Sequence, residues 1–308
     1  MKIIYNIFNT KNPIEKAYIA IGSFDGIHLG HKKLITDTVS KAINNGGKSV
    51  VFTFLNHPLE IVKKDIELKF LTTIEEKINI FDGFNIDYLV LQPFTQEFAD
   101  IEPYDFVKLL KDQLGAKEFF VGFNFSYGKN GLGTVDTLKT CSNDLGIDLT
   151  IIPPVRLNNI TISSTLIRNL VSQGKIKEAN QYLGYNFFIS GTVVHGEKIA
   201  RQLGFPTANL ELKNKIVPKF GVYGGLATVE NDPITKSCIV NIGNNPTLKA
   251  GIQTFEAHIF NYDSDIYGKN IKVQLLDFIR PEKKFESVDN LIDAIKEDVR
   301  SWKSSYNI

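Results

Sequence analysis

The sequence predicts an α/β module with a parallel sheet, followed by a small antiparallel β-barrel that ends in a helix. Three observations predict it. Apolar strand-length runs alternate with helix-period segments through the first half of the chain. From Phe187 onward the pattern becomes short β-branched and aromatic strands separated by glycine, proline and asparagine. The 308 residues also exceed the ~100–200 typical of one domain. The expected division is 1–184 and 185–308.

In order, Tyr18 to Ile21 reads as a strand, and Leu34, Ile35, Thr38, Val39, Ala42 and Ile43 mark one face of the helix after it. Gly46-Gly47 stops that helix before a strand over Lys48 to Phe54. Helices over Thr73 to Phe84 and Pro103 to Leu114 alternate with strands over Ile86 to Leu91 and Lys117 to Val121, and Ile147 to Ile152 is the last strand. Such alternation needs long right-handed crossovers and hence a parallel sheet. Lys175 to Leu183 is a short helix stopped by Gly184. Strands follow over Phe187 to Val194, Val222 to Val229, Cys238 to Ile242, Thr254 to Phe260 and Ile271 to Phe278, enough for a closed barrel. Ser287 caps a final helix whose stripe, Val288, Leu291, Ile292, Ile295, Val299 and Trp302, is to be buried on the barrel.

Composition narrows the function. With 43% hydrophobic and 22% charged residues the chain has material for two cores, and a net charge of +1 gives no reason to expect nucleic acid as partner. Cys141 and Cys238 stand far apart, outside any disulfide or zinc pattern. No leader-like start or membrane-length apolar run is present, so a cytoplasmic protein acting on small molecules is expected, without a membrane partner.

The stretch Gly22-x-Phe24-Asp25-Gly26-x-His28-x-Gly30-His31 joins the first strand to its helix. Gly22 and Gly26 let backbone N–H groups approach a ligand, and a helix N-terminus favours phosphate. His28 and His31 are spaced to reach the same phosphate oxygens; half of a metal site is the competing reading, but nearby cysteine and carboxylate partners are lacking. His57, after the second strand, is a surface residue or a site residue at a strand end. Gly122 to Gly128 carries Asn124 among aromatics and is either a flexible loop or a ligand clamp. In Ile162-Ser-Ser-Thr-Leu-Ile-Arg168, Ser163 or Ser164 caps a helix, or Ser164, Thr165 and Arg168 hold phosphate.

In the second module, Thr207 and Asn209 share a face if their stretch is extended, and either complete a Mg²⁺ shell or merely follow a proline turn. Asn241 to Thr247 reads as a hairpin turn. Strict alternation puts Glu256 and His258 on one face, opposite Phe255, Ala257 and Ile259. Facing a cavity, Glu256 is a general base; facing outward, it is a solvated strand residue.

Two resemblances follow from these motifs. The Gly22–His31 stretch and the Ser163–Arg168 stretch resemble the two signatures of the nucleotidyltransferase superfamily, which implies a Rossmann-like sheet. Gly191 to Gly196, Gly204 to Asn209, Phe220 to Gly224, Asn241 to Gly243 with Pro246-Thr247, Phe255 to His258, Tyr267 to Lys269 and Phe278 to Pro281 occur in the order seen in riboflavin kinases. Together the modules resemble the bacterial bifunctional riboflavin kinase/FAD synthetases over nearly the whole chain. The resemblance implies ATP and the flavins riboflavin, FMN and FAD as substrates and products. It makes Glu256 the kinase base and gives Mg-ATP to Thr207 and Asn209. It gives adenylyl transfer to His28 and His31, with Gly22, Phe24, Asp25, Gly26, Asn124, Ser164, Thr165 and Arg168 around the nucleotide. Two departures are visible: Ala200-Arg201 where the family usually has Gly-Arg, and Leu55-Asn56 where an acidic residue and proline are common. A single surviving activity, or a flavin sensor, are the rival functions.

Overall fold

The computed structural model describes residues 1–10, 12–62, 69–196, 203–210, 215–244 and 253–306. It divides into two compact units, Met1–Ser164 and Thr165–Ile308. Ala200, Arg201, Pro246 and Thr247 lie outside the described residues.

The first unit is built on six strands: β1 (Lys2–Tyr5), β2 (Ala17–Ile21), β3 (Lys48–Phe54), β4 (Tyr88–Gln92), β5 (Ala116–Gly122) and β6 (Asp148–Ile152). They lie in the order β1-β4-β3-β2-β5-β6, and every neighbouring pair is parallel. From β2 the chain steps outward to β3 and β4 on one side, then to β5 and β6 on the other. Loops leaving the C-terminal ends of β2 and β5 therefore diverge, which opens a crevice at that reversal.

Both faces of β2 are covered, which is why all five of its residues are buried. Ile19 and Ile21 pack with Phe106, Val107 and Leu110 of helix α5 (Pro103–Leu114), while Ala20 packs with Leu34 and Ile35 of α1 (Leu29–Asn44) and Phe81 of α3 (Ile74–Asp82). The short helices α2 (Pro58–Val62) and α4 (Gln96–Ala99) fill the crossovers. Several elements escaped the sequence reading, among them α2, α4 and the two-stranded ribbon of β7 (Arg156–Leu157) and β8 (Ile160–Thr161). Strand β1 is a four-residue edge with only its middle half-buried, and helix α6 (Val135–Asp144) buries just Leu138 and Ser142, too little for a legible stripe.

The second unit contains helix α8 (Ile176–Leu183), most of α7 (Ser164–Ser172), strands β9 (Phe188–Val194), β10 (Ala208–Leu210), β11 (Gly221–Val229), β12 (Asp232–Asn244), β13 (Gln253–Ile259) and β14 (Asn270–Pro281), and helix α9 (Val288–Tyr306). The strands close in the order β10-β13-β12-β11-β14-β9, with β9 paired to both β14 and β10. Division by packing thus falls before α7 and α8, whereas the periodicity changes after them. The reason is specific: Asn180 of α8 accepts from the Phe187 N–H at 2.7 Å and donates to the Leu275 carbonyl at 3.0 Å, finishing the barrel edge.

Helix α9 is capped as expected, with the Asn290 N–H donating to the Ser287 hydroxyl at 3.2 Å. Trp302 is buried and its indole N–H donates to the Ser237 hydroxyl at 2.8 Å. The expected stripe holds from Leu291 onward, but Val288, its first member, is 58% exposed. Arg280 of β14 makes a two-pronged ion pair with Asp298 of α9, at 2.8 Å through each of Nε and Nη2.

Candidate active sites

The first site lies where β2 ends. His28 is the N-cap of α1, its Nδ1 accepting from the His31 N–H at 3.4 Å, so the neutral ring carries its proton on Nε2. The two imidazoles stack, with centroids 3.7 Å apart and planes 15° from parallel. Burial is the main cause that lowers the His28 pKa to about 4, although the Asp25 charge opposes it. Burial, the neighbouring His28 and the Lys77 ammonium hold His31 well below the usual imidazole range, and its Nδ1 has no hydrogen-bond partner among the described residues. Both rings are therefore neutral at pH 7.

Gly30 leaves room for the His28 ring. A Cβ there would lie 3.1 Å from Cε1 of the His28 ring. Gly26 has φ 78°, the left-handed conformation that its position in the motif anticipated, whereas Gly22 has ordinary φ and instead leaves room for the Phe24 ring. Phe24 is fully buried and meets His31 edge-on at 5.2 Å. The buried Asp25 carboxylate accepts from the N–H groups of Leu71 at 3.0 Å and Thr72 at 3.2 Å. Both side chains thus support the turn from behind.

Ser164 is the first residue of α7 rather than its cap, and its hydroxyl donates to the Asp25 carbonyl at 2.8 Å. The second signature is so tied to the first by one hydrogen bond. Thr165 and Arg168 lie on the first turns of α7 and belong to the second unit. Asn124 is exposed in the loop after β5, the strand beside β2. Asn56 bridges two strand ends, donating to the Phe94 carbonyl at 3.0 Å and accepting from the Phe94 N–H at 2.8 Å. His57 stacks on Phe70 at 5.1 Å.

The second site spans β10 and β13. Phe255 and Ala257 are fully buried inside the barrel, so alternation turns Glu256 and His258 outward. Outward here is not into solvent: both line a cavity of about 360 Å³ with Asn241, Arg280 and, from α9, Leu291 and Ile295. Glu256 stands opposite Asn209 on one neighbouring strand and Asn241 on the other. Asn209 lines a separate cavity of about 480 Å³ with Gly196, Tyr262, Asp263 and Tyr267. Thr207 borders both cavities. His258 donates from Nδ1 to the Pro206 carbonyl at 2.9 Å, since a carbonyl can only accept.

Thr207 and Asn209 offer oxygen donors, and among the described residues no group of three or more His, Cys, Asp or Glu could hold a metal. This sparse hydroxyl and amide set suits Mg²⁺, which keeps waters and takes phosphate oxygens.

Residues 10–166 match the family model for FAD synthetase, and residues 183–306 match that for riboflavin kinase. A Bacillus subtilis (strain 168) protein named bifunctional riboflavin kinase/FMN adenylyltransferase is 35% identical over 92% of this chain and 90% of its own length. The chain belongs to that family. An Escherichia coli (strain K12) riboflavin kinase/FMN adenylyltransferase is 32% identical over 97% of this chain and 96% of its own. A crystal structure described as a macrolide-efflux protein from Streptococcus pneumoniae matches with a TM-score of 0.88 and 30% identity, covering 98% of this chain and 99% of that one. Among the described residues no helix is long and apolar enough to cross a membrane.

In this riboflavin kinase/FMN adenylyltransferase family member, two contacts at the sites carry no signal in the sequence. The segment Leu71–Lys77, which buttresses the His28 turn, carries a readable helix-capping pattern in Thr73 and Glu76 but no mark of the distant contact. Arg280 and Asp298 in the Glu256 cavity likewise pair only through tertiary packing.

Proposed function

We propose that the barrel transfers the ATP γ-phosphoryl group to the ribityl 5′-hydroxyl of riboflavin, giving FMN, and that the sheet module adenylylates FMN to FAD. The observation that carries the kinase reading is the position of Thr207, bordering the cavity of Glu256 on one side and that of Asn209 on the other. Riboflavin fits the largely apolar Glu256 cavity, and ATP the other. Glu256 takes the hydroxyl proton as oxygen attacks the γ-phosphorus, and the bond to ADP breaks. Thr207 and Asn209 would hold Mg²⁺, which supplies charge neutralisation on the polyphosphate.

In the sheet module an FMN phosphate oxygen attacks the α-phosphorus of a second ATP, and pyrophosphate leaves. His28 donates from Nε2, His31 lies against it, and the N–H groups of the first turn of α1 face the phosphates, the preorganised donors that such a charge-rich transition state needs. Gly22, Phe24, Asp25 and Gly26 shape the turn, and Asn124 and Ser164 border the nucleotide; the assignment of Thr165 and Arg168 rests on the family's second signature alone. We assign the reaction to the cytoplasm, in keeping with two free cysteines. Incubation with riboflavin and Mg-ATP, followed by chromatography, should yield FAD. FMN alone would refute the adenylyl assignment, and unchanged riboflavin would refute both.

A further inference from the structure

The turn that carries His28 is held in an unusual conformation by a segment no motif marks. Phe24 and Ile27 have φ of 48° and 35°, and both are fully buried. A bulky and a β-branched residue stay in the left-handed region only where their surroundings over-determine them. Those constraints come largely from Leu71–Lys77. Besides the two N–H groups on Asp25, the Thr72 hydroxyl accepts from the Gly26 N–H at 3.1 Å. The Lys77 ammonium donates to the Ser23 carbonyl at 2.9 Å, which also accepts from the Thr53 hydroxyl at 3.2 Å. Lys77 sits in α3, whose start is fixed by a reciprocal capping box between Thr73 and Glu76. Its charge is thus delivered by a rigid element.

We propose that Lys77 is a positioning residue for adenylyl transfer: through its bond to the Ser23 carbonyl it locks the Ser23–Phe24 turn that leads into the His28–His31 pair, and it brings a fixed positive charge to that turn. The inference rests on the adenylyl reading of this site. The stacked geometry needs neutral rings. Protonating His28 turns Nδ1 from acceptor to donor and breaks its bond from the His31 N–H; protonating both puts like charges 3.7 Å apart. Among the described residues, the titratable and charged groups that act on His31 are His28 and Lys77, while Asp25 acts on His28 in the opposite sense with its carboxylate already engaged by Leu71 and Thr72.

The test uses the full chain with Lys77→Met and Lys77→Arg, measuring FAD formation from supplied FMN and ATP from about pH 8 down to about pH 4, where folded His28 takes up its proton, alongside the riboflavin kinase reaction. Lys77→Met should lower kcat at least about tenfold at pH 7 and move the acid limb of kcat/KM to higher pH, because a positive charge that disfavours protonation of His31 is gone. Kinase turnover should not change. Lys77→Arg, which keeps the charge, should restore the profile. Imidazole titration followed by NMR reads the same shift without turnover, so a wild-type enzyme that made no FAD would sink the adenylyl reading while leaving the effect of Lys77 measurable. A wild-type profile and titration in Lys77→Met, or a lower rate with no shift, would overturn the proposal.

Discussion

The rings of His28 and His31 lie face to face at 3.7 Å, and His28 is at the same time the cap of the helix that bears His31. In the proposed adenylyl transfer one side chain therefore serves both fold and chemistry through different nitrogens: Nδ1 closes the helix, and Nε2 is left to donate to a phosphate. Substitutions can separate the two roles.

His28→Ala removes both nitrogens. It should cost ~1 kcal/mol of stability, as for loss of an N-cap, and reduce FAD formation by about 10²–10³, as for loss of one transition-state donor. Asparagine supplies a cap acceptor without the ring. His28→Asn should therefore recover the urea midpoint but not the rate, and a variant that recovered both would leave the ring no chemical role. His31→Ala should lose a similar factor in FAD formation with riboflavin phosphorylation unchanged.

A pH dependence follows from the same pair. An unfolded imidazole takes up a proton below about pH 6.5, whereas folded His28 does so only near pH 4. The unfolded state thus binds more protons between those values, and stability falls as pH drops through that window. For His28 the full loss is of order 3 kcal/mol, and His31 adds in the same direction. Urea melts of wild type and His28→Asn at about pH 7.5 and pH 5 should show the smaller drop in the variant. Equal drops would mean that the His28 ring does not carry the penalty.

The sheet and the barrel were legible because each has its own period: β2 and β3 are continuous apolar runs, and β13 alternates strictly. The elements that escaped have little apolar surface to announce them, as in α6, or too few residues, as in β1 and β10. Spacing put His28 and His31 together at the head of α1, and Glu256 with His258 on one face of β13. It could not tell whether the outward face of β13 met solvent or a cavity, because that depends on α9, more than thirty residues further along. Nor could it find Lys77, whose partner Ser23 is 54 positions away.

Modularity can be tested by where the chain is cut. The fragment 1–184 should convert supplied FMN to FAD, since it retains both signatures through Arg168. The fragment 185–308 should phosphorylate riboflavin but melt at lower temperature than one beginning at Gly174, because it lacks the Asn180 bonds to Phe187 and Leu275. Equal melting temperatures would show that α8 contributes nothing to the barrel.

Trp302, the one tryptophan of the chain, reports on the seating of α9. A Cβ on Gly224 would fall 2.0 Å from its Cε3, so Gly224→Ala must displace the indole. A destabilisation of ~1–3 kcal/mol, typical of overpacking, should accompany a red shift of the emission. Trp302→Phe instead strips the Ser237 hydroxyl of its partner and should cost about 1–3 kcal/mol. Wild-type emission and melting in Gly224→Ala would contradict the packing of α9 described here.

Glu256 and His258 share a strand face and a cavity, so either is placed to take a proton from a bound hydroxyl. The contacts of His258 give it a second task. Nδ1 of His258 is committed to the Pro206 carbonyl, and its ring is wedged between Phe205 and Phe260, each with its ring centroid 5.6 Å away. His258 thereby anchors the segment that presents Thr207 to both cavities. Glu256→Gln keeps shape and removes the base, so kinase kcat should fall by ~10²–10⁴ while riboflavin binding and FMN adenylylation stay near wild type. His258→Ala frees Pro206 and should act through Thr207, raising KM for ATP more than it lowers kcat. Full kinase turnover in Glu256→Gln, together with its abolition in His258→Ala, would move the base two residues along β13 and leave the bond to Pro206 as the orienting contact of a catalytic imidazole.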